Sequence, residues 1–178
     1  MSPAEDGVVF AFVMVDVEAD GPIPADYSML SLGAVLVAEP LDRTFYAELA
    51  PVSDRWDERA IAVGGFTREQ SLEFEDPEAV MRRFGQWLHT LPGTPVFVSD
   101  NNGFDWQFVN WYFHHFLGDN PFGHGSHSLS SLFQGATRNM HASFKHLRST
   151  KHTHNALDDA MGNAEALLAI FTEMSFDV

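Results

Sequence analysis

Eight consecutive apolar residues, Val8 to Val15, run straight into Asp16-Val17-Glu18. Eight residues are too few to cross a bilayer, which takes about 20. Half of the run is valine, and an uninterrupted β-branched stretch of this length predicts a strand buried on both faces. Such a strand needs a layer on each side, so the chain is expected to form a three-layer α/β domain. Residues two apart on an extended chain share a side, which places the Asp16 and Glu18 carboxylates together. They would stand at the carboxyl end of a central strand, where open α/β sheets bind ligands. Adjacent carboxylates repel, so the pair calls for a cation or a shared proton. The competing reading is an exposed loop with two ordinary acids.

The remaining elements fit the same architecture. Residues 29–38 and 43–49 read as further strands, separated from the first by a Gly21-Pro22-Ile23-Pro24 turn. Residues 50–75 read as irregular and polar. Asp76-Pro77 opens a helix with the stripe Val80, Phe84, Trp87 and Leu88, and Pro92-Gly93 closes it. Residues 94–98 form a short apolar strand, and helices are expected over about 104–117 and 155–174. No repeat or linker divides the 178 residues, so a single domain spanning 1–178, with its core over about 8–174, is expected.

The net charge is −15, with 10 basic residues against 25 acidic. That argues against a protein that coats long nucleic acid by neutralising phosphates. It leaves room for one that meets phosphates through bound cations. The charges are unevenly spread. Between Asn120 and Leu157 there is no Asp or Glu, but Arg138, Lys145, Arg148, Lys151 and six histidines. A cationic segment in an acidic chain suggests a place for an anionic ligand, against the alternative of a flexible solvated loop. With no cysteine, disulfides, thiolate metal sites and cysteine nucleophiles are excluded. The acidic N-terminus is unlike a signal peptide, and a cytoplasmic protein without a membrane segment is expected.

Two further acids are candidates for the Asp16–Glu18 site. Asp105 shares a helix face with Phe108, Val109, Tyr112 and Phe116, so a carboxylate heads a core-directed stripe. Unpaired burial there would cost several kcal/mol, so it needs a partner. The alternative is an N-terminal Asp satisfied by its own helix. On the last helix, Leu157, Met161, Ala164, Leu168 and Phe171 read as the main apolar stripe. Asp158, Gly162 and Glu165 read as the solvent side. Asp159 falls with Ala156, Ala160 and Asn163 on a small face that would let the helix approach the sheet closely. His154 stands just before this helix and is a candidate general base, the ordinary imidazole pKa lying near neutral pH. The other histidines are expected to be bystanders.

These residues carry a resemblance. Asp16-Val17-Glu18 after a hydrophobic strand resembles the first motif of the DEDDh, or DnaQ-like, 3′→5′ exonucleases. Asn101 to Phe108 is similar to the second, Asn-x-x-Phe-Asp-x-x-Phe, and His154 to Ala160 to the third, His-x-Ala-x-x-Asp-Ala. Val63 to Glu69 is similar to a softer stretch between the first two. The resemblance implies a ribonuclease H-like fold with a mixed five-stranded sheet flanked by helices. It implies two Mg²⁺ or Mn²⁺ ions held by Asp16, Glu18, Asp105 and Asp159, with His154 as the base and nucleoside 5′-monophosphates as products. Ala19 and Phe104 fall where the family meets the terminal nucleotide. Arg138, Lys145, Arg148 and Lys151 are candidates for phosphate contacts. Single-stranded RNA or DNA 3′ ends and short oligonucleotides are the expected substrates, with a lean to RNA, and a homodimer is compatible with the family. The chain departs from the pattern at Ala19, where a hydroxyl residue is usual, at Asp20, where Ser or Thr is usual, and at Gly64, where many relatives have His.

Two rivals compete with this reading. One is a catalytically silent nucleic-acid or protein interaction module on the same fold, which would have no need for four acids and a histidine. The other is a histidine-rich zinc protein built on His152-x-His154 with the upstream histidines. Hard carboxylate donors on three separate elements favour magnesium or manganese over zinc.

Overall fold

The computed structural model describes residues 9–174. Val8, where the apolar run begins, and the acidic N-terminal residues lie outside that range. Five strands form one mixed sheet in the order β3-β2-β1-β4-β5. β1 is Phe10–Ala19, β2 Met29–Leu36, β3 Thr44–Glu48, β4 Thr94–Ser99 and β5 Ser126–Ser128. β1 is the central strand, antiparallel to β2 and parallel to β4. It runs past the apolar stretch through Asp16 and Glu18, so both acids belong to the strand itself. The β1–β4 pairing ends at Met14↔Val98, which leaves Asp16 and Glu18 overhanging β4.

Helices cover both faces. One core joins Val13, Val15 and Val17 of β1 to α3 (Pro77–His89) and α4 (Asn102–Leu117). The other joins Met14 and Val98 to α5 (Leu129–Thr137) and α6 (Ala156–Glu173). Alternate β1 residues thus serve opposite cores, and Asp16 and Glu18 continue the Met14 side. α3 follows its sequence signals closely. Asp76 caps it through the Ala79 N–H and Pro77 occupies its first turn. Val80, Phe84 and Leu88 are buried, with Met81 and Gly85 beside them.

Residues 50–75 are more ordered than their composition suggests. They hold two short helices, α1 (Glu58–Val63) and α2 (Arg68–Ser71). Asp57 caps the first, and a Thr67–Gln70 capping box opens the second. The cationic segment is also built structure. It contains β5, α5 and a 3₁₀ turn at Lys145–Leu147, and its last part is tied to α6. Glu165 accepts from Ser149 N (2.7 Å), Thr150 N (2.8 Å) and Thr150 Oγ1 (2.8 Å).

α6 presents a different face to the sheet from the expected one. Its buried residues include Ala156, Ala160, Gly162, Asn163, Ala164 and Leu167, while Leu157, Met161, Leu168 and Phe171 sit half-buried on its flank. Small residues win because the helix start lies directly on β2. Any side chain at Gly33 would collide with the Ala156 backbone. Gly33 pairs with Asp16 across the sheet, so this close approach brings the first turn of α6 beside the β1 acids. Gly162 and Glu165 are therefore not a solvent side. No helix among the described residues is long and apolar enough to cross a membrane.

Candidate active site

A cleft of about 690 Å³ opens at the carboxyl end of β1. Asp16, Glu18 and Ala19 reach it from β1, Phe104 and Asp105 from α4, and Asn163 from α6. Lys145, Arg148, His152 and His154 also line it, and α1 adds Arg59 and Ala60. Carboxylate oxygens of Asp16, Glu18 and Asp159 all come within 4.8 Å of one another. Three acids from two elements far apart in sequence thus converge on one point.

Burial makes this convergence costly without a cation. It holds the Asp16 carboxyl well above its usual range, and the charges of Asp105, Glu18 and Asp159 add to the effect. Glu18 is pushed up to about 7, first by burial and then by Asp159. Asp105, only 2% exposed, is pushed up to about 8 by burial, which outweighs the lowering contacts of Ser99 and Val17 N–H, with Asp100 and Glu18 adding to the rise. Its Oδ1 accepts from Val17 N at 3.3 Å, a contact to β1 and not to its own helix. Its Oδ2 is buried with no hydrogen-bond partner. The cap explanation for Asp105 therefore fails: it lines the cleft with one orphaned carboxylate oxygen, beside the three acids that meet within 4.8 Å but not one of them. Such an oxygen-only donor set fits a hard divalent ion such as Mg²⁺ or Mn²⁺.

Asp159 is held differently. Its Oδ1 accepts from Arg148 (3.2 Å) and Thr153 N (3.1 Å), and its Oδ2 from His154 N (3.0 Å). His152 Nδ1 lies 2.8 Å from the same Oδ2. The carboxylate is thus both a member of the acid cluster and the anchor of the loop that carries His154. His154 has a positive φ of 61°, and its exposed ring meets the His152 ring at 4.3 Å between centroids. His152 is therefore a member of the site and no bystander. Its sequence signal was the spacing of two from His154, which on an extended loop puts both rings on one side.

The four basic candidates divide evenly. Lys145 and Arg148 line the cleft. Arg138 ends α5 in a left-handed turn, and it and Lys151 are exposed and not among the lining residues. Arg148 is deeper than a surface phosphate contact would be. Its guanidinium lies over Gly162, where any side chain would collide with it, and its Nε is buried without a partner. It acts as an internal cation toward Asp159 and Asp16. The departures from the family pattern also have places. Asp20 is a buried structural acid bound to Ser28 N and Arg68. Gly64 packs beside Glu18, where a side chain would be tight against the Glu18 Cβ at 3.2 Å.

Comparison with known proteins agrees with this geometry. The RNase_T exonuclease family model matches residues 13–167. The chain is 40% identical over 168 residues to the 3′-5′ DNA exonuclease Cap18 of Escherichia coli, covering 86% of this chain and 88% of that one. Among solved structures, it is similar to E. coli Exonuclease I in complex with a dT13 oligonucleotide. There the TM-score is 0.73 at 17% identity, over 94% of this chain and 42% of that one. It is also similar to a 3′-exonuclease solved in recognition of a histone mRNA stem-loop. That match has a TM-score of 0.72 at 13% identity, over 91% of this chain and 63% of that one. The chain thus spans about two-fifths of Exonuclease I, and these two likenesses speak for the fold. Exonuclease domains of this family use divalent metal ions. On the family match and the Cap18 identity together, the chain belongs to the RNase_T family of DnaQ-like 3′→5′ exonucleases and is an enzyme of that class.

Proposed function

We propose that this protein removes nucleotides one at a time from the 3′ end of single-stranded DNA or short oligonucleotides, with two divalent ions as cofactor. The observation that carries the reading is the meeting of Asp16, Glu18 and Asp159 oxygens within 4.8 Å, at a cleft lined by Asp16, Glu18 and Asp105. DNA is preferred over the RNA expected from sequence because Cap18, the relative at 40% identity, is a DNA exonuclease. The Exonuclease I complex with dT13 supports a single strand. The strongly acidic chain agrees with an end-bound substrate better than with a long duplex track.

Asp16, Glu18, Asp105 and Asp159 would hold the ions. When bound, Mg²⁺ or Mn²⁺ supplies Lewis-acid activation of water and neutralises charge at the phosphate. The chain supplies the rest. The His154 imidazole accepts a proton from the attacking water. The water oxygen bonds to phosphorus as the P–O3′ bond breaks, and the 3′ oxygen of the shortened strand takes up a proton. The products are a nucleoside 5′-monophosphate and a strand one residue shorter with a free 3′ hydroxyl. Asp159 holds His154 by its backbone N–H, so the candidate base is fixed by a candidate ligand. Phe104 and Ala19, which line the cleft, would meet the terminal base and sugar. Lys145 would face the phosphate.

The test is a set of 5′-labelled single strands, DNA and RNA, incubated with Mg²⁺, Mn²⁺ or EDTA. A ladder shortening from the 3′ end, with 5′-monophosphate products and none in EDTA, is expected, and DNA should be cut faster than RNA. Internal cuts, 3′-phosphate products or hydrolysis that survives EDTA would overturn the reading.

A further inference from the structure

We infer that His152, His154 and Asp159 form a second metal site, distinct in chemistry from the acid cluster and suited to a borderline transition ion such as Zn²⁺. One donor atom from each of the three residues lies within 4.8 Å of the other two. His152 Nδ1 already stands 2.8 Å from Asp159 Oδ2, and the imidazole centroids are 4.3 Å apart. Around a tetrahedral zinc with ligand distances near 2.0–2.1 Å, donor atoms lie about 3.4 Å apart. Seating an ion would therefore open the His152–Asp159 contact by roughly half an ångström and draw His154 in. The His152 side chain is 55% exposed and free to make that shift.

The rim that carries the pair is fixed on both sides. Ser149 and Thr150 are bound to Glu165, Thr153 N to Asp159 and Thr153 Oγ1 to Asp158 at 2.9 Å. The rings therefore project from a preorganised turn, and no loop has to be ordered to bind the ion. Arg148 is the opposing charge. It contacts the other oxygen of Asp159, Oδ1, so the ion would take the Oδ2 lone pair that now faces His152 while Oδ2 keeps its bond from His154 N, and Asp16 nearby offsets the Arg148 charge. Two imidazole nitrogens and one carboxylate favour zinc over magnesium, whereas the all-oxygen cluster favours magnesium. Three protein ligands leave the fourth position to water.

Asp159 would be common to both sites, so each would sense the other. On the functional reading given above, zinc here would take up the one imidazole lone pair that His154 needs to accept a proton. The protein would then be inhibited by zinc with magnesium in excess. Zinc binding itself does not depend on that reading.

The experiment uses the full chain in excess Mg²⁺, titrated with Zn²⁺ against a chromophoric chelator. Co²⁺ absorption in the visible serves as a fingerprint of a tetrahedral site with nitrogen donors. Wild type should take up one zinc under these conditions. His152→Ala, His152→Gln and the His152→Ala/His154→Ala double variant should weaken uptake by more than about tenfold and lose the cobalt band. Both histidines are exposed, so melting in EDTA should match wild type and exclude misfolding. Glu18→Gln, which removes an acid-cluster donor only, should keep zinc uptake and the cobalt band. Wild type without zinc uptake, a double variant that binds as wild type does, or uptake lost in Glu18→Gln would each overturn the site. Zinc uptake by a protein that cuts no oligonucleotide in zinc-free Mg²⁺ would leave this site standing and sink the nuclease reading alone.

Discussion

Asp20 lies fully buried one residue past β1, and Asp105 is nearly as deep in the first turn of α4. Around Asp20 the chain brings donors. Its carboxylate accepts from Ser28 N and from Arg68 (3.2 Å), whose other amino group donates to Ser53 O. Burial still raises the Asp20 carboxyl, but the Ser28 N–H and Arg68 pull it back. Around Asp105 the chain brings acids as well as donors and, among the described residues, no cation. Burial outweighs the pull of Ser99 and the Val17 N–H, Asp100 and Glu18 push in the same direction as burial, and Oδ2 has no hydrogen-bond partner. A buried acid with a resident cation is finished structure. A buried acid among like charges keeps a cost that an incoming cation can relieve. The two residues thus separate what holds the fold from what the cleft is built to bind.

The sharpest way to break that comparison is to remove cleft acids one at a time. Asp16→Asn or Asp105→Asn should lower hydrolysis by roughly a thousandfold or more, equivalent to several kcal/mol of transition-state stabilisation. The fold should survive, because each change relieves repulsion. Melting in EDTA should hold or rise, and Mg²⁺ should stabilise wild type more than the variant. If Asp105→Asn unfolds the protein and Mg²⁺ never stabilises wild type, Asp105 belongs with Asp20 as a structural acid. Asp159 is a poorer test of the metals alone, since it also anchors Thr153, His154 and Arg148.

Next in size is the base. His154→Ala should lose about 10²–10⁴-fold in turnover, the usual contribution of positioned proton transfer. The structure seats His152 on Asp159, so His152→Ala should cost something, but less than His154→Ala. Single-turnover rates on one labelled oligonucleotide give the ranking. The reverse order would make His152 the base.

Why some of this was legible and some not comes down to which contacts are local. Asp16 and Glu18 could be read because a period of two and an apolar strand fix their side without help from elsewhere. Asp159 could be told from Asp158 because Ala156, Ala160 and Asn163 mark one small face. The depth of that face was misjudged, since large apolar residues usually face the core. Here Gly33 admits the Ala156 backbone and reverses the order. The stretch from 120 to 155 hid its structure more fully. β5 is Ser-His-Ser, with no hydrophobic alternation, and it pairs with β4 through its backbone. Arg148 read as a surface cation because its seat, Gly162, is contributed by α6. His152 read as a bystander because its partner is also on α6.

Arg68 tests the other half of the comparison. Arg68→Ala would leave Asp20 buried and uncompensated. Breaking a buried pair from one side costs 3–5 kcal/mol, and the lower end, about 3, applies because Arg68 keeps 14% exposure. That corresponds to a fall in Tm of roughly 6–12 °C, at about 2–4 °C per kcal/mol for a chain of this size. Mg²⁺ should not restore it. Recovery on adding Mg²⁺ would mean that Asp20 is part of the cation site.

A smaller effect separates the regions by pH. Glu18 is held at about 7 and Asp105 at about 8, both above their unfolded values. In the metal-free fold these groups retain protons that the unfolded chain has released. Their contribution to stability is therefore full below about pH 4 and is lost as pH rises through 7 to 8. Melting in EDTA should fall over that range. Glu18→Gln should flatten the Glu18 part and raise Tm at pH 8 by a few degrees, about 1 kcal/mol. Saturating Mg²⁺ should flatten the wild-type curve as well. A metal-free Tm that rises between pH 5 and 8 would contradict the placement of these acids.

The smallest expected effect lies one residue from one of the largest. Asp158 is exposed in the first turn of α6, where it accepts from Thr153 Oγ1 at 2.9 Å and faces the helix N-terminus. Its neighbour Asp159 is 1% exposed and takes its donors from Arg148, Thr153 and His154. The peptide between them turns the helix by about 100°, which is enough to move a carboxylate from solvent to the acid cluster. Asp158→Asn keeps a hydrogen-bond acceptor for Thr153 and removes only a charge that favours the helix dipole. It should cost about 0.3–1 kcal/mol, or a Tm shift of no more than a few degrees, with turnover within about twofold of wild type. Asp159→Asn, measured beside it, should lose turnover by orders of magnitude and loosen the 148–154 loop, seen as faster amide exchange at Thr153 and His154. Equal losses from the two changes would mean that the first turn of α6 does not sit on β2 at Gly33. The close approach that brings Asp159 to Asp16 and Glu18 would then be wrong.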